Sequence, residues 1–321
     1  MLQLTKFFKR KTASAPRTHL SEDTLAIAKL AEKMEEAKNA ARLSRKLAKI
    51  GIEDLLTIQC PDPTSEDRHR DAKQQLGQNL VRQEDWAGLA DAIREADTRK
   101  SLTPGSMPIA DLIAYGARAD VVASAEHAIG ETDEGTPDAV LRGVEDFEAV
   151  LEEHADDYAV AAIVAQTHID IGWAWRGNGW DVEVPQLNRD AFAAHFDRAR
   201  DIIEPFVKSH SDSPLIAAIH CAQMIGPNGR RNRVADRYEH LIDLNPHNPR
   251  PMRAMGNHLL PRWFGSYAQL ELEARRTAAR TEHIWGAGGY TWVQFDAISC
   301  DDQACANLDL PFFVDGLRDI L

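Results

Sequence analysis

Apolar residues recur at three-and-four spacing along most of this 321-residue chain, a period that predicts helices. In residues 21–50, Ile27, Leu30, Met34, Ala37 and Ala41 form one stripe among Ala, Lys and Glu, with Gly51 as the stop. Residues 57–70, with Cys60-Pro61-Asp62-Pro63, read as a loop. Leu76, Leu80, Trp86, Leu89 and Ile93 predict a helix or helix pair over 70–97. After a break at Ser101–Ser106, helices follow at about 107–115 and 118–129, divided by Gly116.

The pattern sharpens from residue 136. Thr136-Pro137, Ser213-Pro214 and Asn248-Pro249 each offer a cap and then a proline at the first helical position, where its missing N–H costs nothing. Val140, Val144, Phe147 and Leu151 make one stripe, and Val160, Val164, Thr167 and Ile171 the next. Phe192, Phe196, Ala199, Ile203 and Phe206 give an apolar face opposite Arg198, Arg200 and Asp201. Beyond residue 213 helices alternate with breaks at Gly226–Gly229, Asn245–Pro249 and Pro261–Ser266, and Ser266 with Gln269 fits a capping box. Gly286-Ala287-Gly288-Gly289 reads as a loop, since helix and not strand precedes it.

The expected fold is therefore all-α: a tetratricopeptide-like α-solenoid of antiparallel helix pairs. The starts at Pro214 and Pro249 lie 35 residues apart, near the period of about 34 for such repeats. Tyr238, Pro246 and Gly256 fall where a repeat wants an aromatic residue, a closing proline and a small crossing residue. The array is degenerate, with other small positions shifted. The expected divisions are a basic flexible tail at 1–20, an N-terminal helical region at 21–130 and the repeat domain at 131–321.

Composition narrows the partners. The net charge of -13 and pI near 5.4 repel phosphate backbones and argue against nucleic acid. Residues 1–17 are basic and could lie weakly on an acidic membrane surface, whereas residues 131–157 hold eleven acids against Arg142 and read as a solvated helix face. No stretch reaches the roughly 20 apolar residues of a membrane span. Four scattered cysteines, Cys60, Cys221, Cys300 and Cys305, read as reduced thiols in the cytoplasm and complete no zinc set. The sequence implies no cofactor, no metal and no catalytic set. His220-Cys221 are neighbours on a helix and point apart, and no Gly-x-Ser-x-Gly, Walker, His-Glu-x-x-His or EF-hand motif occurs.

The densest chemistry runs from Thr167 to Trp180, with His168, Asp170, Trp173, Trp175, Arg176 and Trp180. Two readings stand side by side. The first is an aromatic-walled pocket in which Arg176 meets an anion. The second is packing, with the Trp rings filling space between helices and Arg176 paired to an acid such as Asp181. Arg176-Gly177-Asn178-Gly179-Trp180, Leu244-Asn245-Pro246-His247-Asn248-Pro249 and Leu260-Pro261-Arg262-Trp263-Phe264-Gly265-Ser266 together resemble an uncharacterised bacterial family of tetratricopeptide-like helical-repeat proteins carrying a domain of unknown function. The resemblance covers about 155–297 and departs at Phe264, where that family tends to have Gly. It implies the fold and brings no activity with it.

Expected binding residues are His168, Asp170, Trp175, Arg176, Trp180, Arg262 and Trp263. The expected function is a cytoplasmic scaffold or adaptor holding a protein or peptide on a concave face. The alternative is a small-molecule or metal-dependent enzyme or sensor around His168, Asp170, Arg176 and Trp180. Residues 310–321, an amphipathic helix without a polar tail, either seal the last repeat or mediate self-association.

Overall fold

The computed structural model describes Lys38 and residues 62–131, 137–177, 184–227 and 234–321. Two compact units divide the protein, Met1–Asp62 and Pro63–Leu321. Of the first, only Lys38, exposed and helical, and the exposed Asp62 are described; the expected basic tail and the helix at 21–50 otherwise lie outside the described residues.

The second unit is all-helical, with thirteen α-helices and no strand among the described residues. They are α1 (Ser65–Arg82), α2 (Trp86–Thr98), α3 (Ile109–Glu131), α4 (Pro137–Glu153), α5 (Tyr158–Arg176), α6 (Gln186–Ser209) and α7 (Pro214–Ala222). A 3-10 turn, Gln223–Ile225, ends α7, and α8 (Val234–Leu244), α9 (Arg250–His258) and α10 (Tyr267–Trp285) follow. The last are α11 (Gly288–Cys300), α12 (Asp302–Ala306) and α13 (Leu310–Ile320).

Local chemistry sets these boundaries. The expected loop at 57–70 ends early because Thr64 and Asp67 form a reciprocal capping box that starts α1 at Ser65. Ser213 accepts the Ile216 N–H ahead of Pro214, and Ser266 accepts that of Gln269. The glycine run at 286–289 is a two-residue turn: Gly286 takes φ +54° as the cap of α10, and Gly288 and Gly289 already belong to α11.

One sequence expectation is overturned. Gly116 does not divide two helices; α3 runs unbroken through it. A Cβ on Gly116 would sit 1.9 Å from the Gln74 carbonyl oxygen, and one on Gly77 would sit 2.0 Å from that of Ile113. The two glycines let the backbones of α1 and α3 touch, so they mark a helix crossing instead of a break.

Alternate helices pack on one another: α1 on α3, α3 on α5, α5 on α7, then α9 on α11 and α11 on α13. Two large hydrophobic cores result, beside a small cluster of Ala125, Val144 and Ile171. The first gathers Leu89, Ile93, Ile163, Phe196 and Ile203; the second gathers Met224, Tyr238, Ile242, Met255 and Tyr290. Helix α7 serves both, giving Leu215, Ile216 and Ile219 to the first and Ala217 and Cys221 to the second. Within the second core, Phe313 of α13 is buried and Phe312 stacks on Tyr290 at 4.9 Å. The apolar face of α13 thus covers α11, while Leu310 and Leu321 stay exposed.

Candidate functional site

At the seam between the two cores lies a cavity of about 600 Å³. Its walls come from α1, α3, α5, α7, α8 and α9. Helix α5 presents Ala162, Gln166, Ile169, Asp170 and Trp173 to it, one stripe at a rotation of about 100° per residue. Its charged residues are Arg70, Asp111, Arg118, Asp170 and Arg250, with no Lys or Glu.

Arg118 and Asp170 form a closed pair. Arg118 Nε donates to Asp170 Oδ2 at 2.6 Å, Gln166 Nε2 donates to Oδ1 at 2.8 Å, and the guanidinium lies 5.3 Å from the Tyr115 ring centre. Asp111 differs. Among the described residues its carboxylate makes no hydrogen bond and no ion pair within 4.0 Å. Burial raises its pKa to about 6, against the lowering pull of Arg250 and then Arg118. Buried Tyr238 meets His258 Nδ1 at 2.7 Å deeper in the wall, and burial pushes His258 down to about 4 and the Cys221 thiol up to about 12. A neutral imidazole and a protonated thiol leave this wall uncharged at neutral pH.

Asp111 therefore weakens the fold where it stands. Its folded pKa exceeds the unfolded value, so the native state favours the proton, and the ionised form carries the full penalty above pH 6. A rise from 3.8 to about 6 corresponds to roughly 3 kcal/mol, which partial exposure to the cavity reduces to about 1–2 kcal/mol. Asp111→Asn is expected to stabilise the protein by that amount at pH 7 and by almost nothing below about pH 4. Urea unfolding at the two pH values checks the sign.

The residues expected from sequence do not converge on this cavity. Asp170 lines it, but His168, two positions away, points to the other side of α5. There His168 Nε2 meets Glu148 Oε1 at 2.9 Å and Nδ1 meets His195 Nδ1 at 2.9 Å. The Glu148 carboxylate can only accept, so His168 Nε2 is the donor there, and the two Nδ1 atoms share one hydrogen bond. Arg198 grips Glu148 through two N–H groups at 2.7 and 2.5 Å and, against desolvation and with help from His168, holds that carboxyl down to about 2. Burial, and next the charge of His168, lower His195 to about 4. This network ties α4, α5 and α6 together. It also takes Glu148 out of the acidic run read as solvated, whereas Glu145, Asp146, Glu152 and Glu153 are exposed.

Trp175 packs beside Val144 and Ile171, and its carbonyl accepts from Asn188 Nδ2 at 2.7 Å. Arg176 and Trp263, distant in sequence, do meet: the guanidinium lies 6.0 Å from the Trp263 ring centre and 5.7 Å from that of Trp173. Trp173 also touches Phe192 and Phe196 edge-on, and its other flank lines the cavity. Arg262 turns away to Asn257 Oδ1 at 2.8 Å. Trp180 and Asp181 lie outside the described residues. Sequence reading missed Asp111, Arg118, Tyr115 and Arg250. Only Pro249, which places Arg250 at a helix start, signals one of them.

Among the described residues no three His, Cys, Asp or Glu side chains converge to hold a metal, and no helix is long and apolar enough to cross a membrane. No family model, curated protein or solved structure matches the sequence.

Proposed function

We propose that the protein is a tetratricopeptide-like helical-repeat adaptor that holds a peptide segment of a protein partner on its concave face. One observation carries the reading: the 600 Å³ cavity is walled mainly by alternate helices, α1, α3, α5, α7 and α9. Stacked helix pairs put alternate helices on one face, and that face is the usual binding surface of such arrays. The packing of α1, α3, α5 and α7 in sequence, and of α9, α11 and α13, supports the same arrangement. The family resemblance, carried by its motifs alone, agrees with it.

The alternative centred on His168, Asp170, Arg176 and Trp180 draws less support, because His168 and Asp170 serve opposite sides of α5. What remains of it is the Asp170 side. The cavity falls within the range of about 300–1,000 Å³ typical for small ligands.

A displayed random-peptide library panned against the intact protein tests the adaptor reading. Peptides selected on the wild type should lose about tenfold or more in affinity for Ala254→Trp, which fills the cavity from α9. They should bind unchanged to Arg318→Ala, an exposed side chain of α13. Equal affinity for wild type and Ala254→Trp would remove the peptide from the cavity.

A further inference from the structure

Within the cavity three charged side chains keep unmet hydrogen-bonding capacity: Arg70, Asp111 and Arg250. Arg118 and Asp170 satisfy each other, and Gln166 completes them. Arg70, at the α1 wall, has Asp67 at 3.8 Å, while its buried Nε has no hydrogen-bond partner. The side chains of Asp111 and Arg250 have no polar partner at all among the described residues. Both line the same cavity and Arg250 is the strongest charge acting on Asp111, yet they form no ion pair within 4.0 Å. Neither side chain makes a hydrogen bond among the described residues. A half-buried carboxylate without donors is costly, and flexible arginines normally close such gaps.

We propose that this cavity binds a free α-amino acid with a large apolar side chain, its ammonium on Asp111 and its carboxylate on Arg250. Such a molecule carries a donor cation and an acceptor anion on one carbon, which matches two opposite charges held apart in one cavity. The wall holds charges of both signs, Arg70, Arg118 and Arg250 with Asp111 and Asp170. A dianion such as a phosphate would face both aspartates, and a lone cation would face the arginines; a zwitterion opposes neither. The remaining wall is apolar and aromatic. Leu112, Ile219 and Trp173 line it, and Tyr115, half exposed and stacked beneath Arg118, offers a ring face. The volume exceeds what a small amino acid fills, so the side chain must be large to exclude water.

This inference uses the same cavity as the adaptor reading but does not depend on it, since an amino acid can bind with no peptide present. The test is thermal-shift screening of the intact protein against the twenty common amino acids, followed by calorimetry on those that respond. Two derivatives of each responder separate the sources of the chemistry. The N-acetyl form has the carboxylate of a peptide's last residue without the ammonium, and the methyl ester has the ammonium of a peptide's first residue without the carboxylate.

The expected result is binding of one or more large apolar amino acids, with each derivative weaker by about tenfold or more. Asp111→Asn and Arg250→Gln should each lose about as much. Loss of folding does not confound these variants, because Asp111→Asn is expected to gain stability and Arg250 is exposed. Failure of all twenty amino acids, equal binding of either derivative, or affinity in Asp111→Asn within about twofold of wild type would each overturn the proposal. Peptides selected by display would still report separately on the adaptor reading.

Discussion

Gly116→Val is expected to destabilise the protein by about 3 kcal/mol. The atom a Cβ would strike at 1.9 Å is the Gln74 backbone oxygen, and the Gln74 carbonyl carbon follows at 2.6 Å. No side-chain rotation relieves a contact with helical backbone, so α1 and α3 must separate. Separation would also break the reciprocal contact of Gly77 with Ile113 and shift Arg70 and Gln74 of the cavity wall. Ligand binding should therefore weaken along with stability. Gly130→Ala on the same helix is the control. Nothing lies within 4 Å of its Cβ, and alanine should leave stability unchanged or raise it by up to about 1 kcal/mol. Denaturant unfolding of the two variants separates a crossing glycine from an ordinary helical one; similar losses in both would contradict the reading.

The second large effect is expected at Asp97, which is 4% exposed. Its carboxylate accepts from Ser213 Oγ at 2.5 Å, the Leu215 N–H at 3.0 Å and Tyr158 Oη at 3.2 Å. One residue thus fastens the end of α2 to the start of α7 and the start of α5. Burial raises its pKa, and these three bonds work against that rise. Asp97→Ala would strand three donors in a dry site, at about 1–3 kcal/mol for each that finds no water, so a loss of about 3–5 kcal/mol is expected. Ser213 also caps α7 through the Ile216 N–H, which couples the two residues. A double-mutant cycle of Asp97→Ala with Ser213→Ala should show coupling above about 0.5 kcal/mol. Additive losses would mean that the carboxylate and the cap act separately.

Helix positions were readable wherever an apolar stripe coincided with a cap. The stripe from Val160 to Ile171 and that from Phe192 to Phe206 are buried residue for residue, and α4 and α7 begin at the prolines that predict them. Gly116 misled because a glycine amid apolar residues signals a stop or a crossing equally well, and only the neighbouring helix decides. The site was less legible for a related reason. Periodicity shows that Asp170 lies on a helix, but not that Arg118, 52 residues earlier, will face it. Asp111 and Arg250 are single charged residues in separate helices, with no local pattern to mark them. The dense Thr167–Trp180 stretch drew the eye to His168 and Trp175, whose roles are to join helices. Density of chemistry along a sequence and convergence in space are different properties. In an array of stacked helices, every wall of a cavity is contributed by a different element.

The most direct test of the cavity as the binding site is hydrogen–deuterium exchange of the intact protein with and without a ligand obtained from the peptide or amino-acid screens. The account predicts slowed exchange in the segments that wall the cavity, 107–118, 162–173, 214–225 and 250–258, with residues 302–321 unchanged. Protection confined to α6, α10 or α13, with those four segments unaffected, would contradict it.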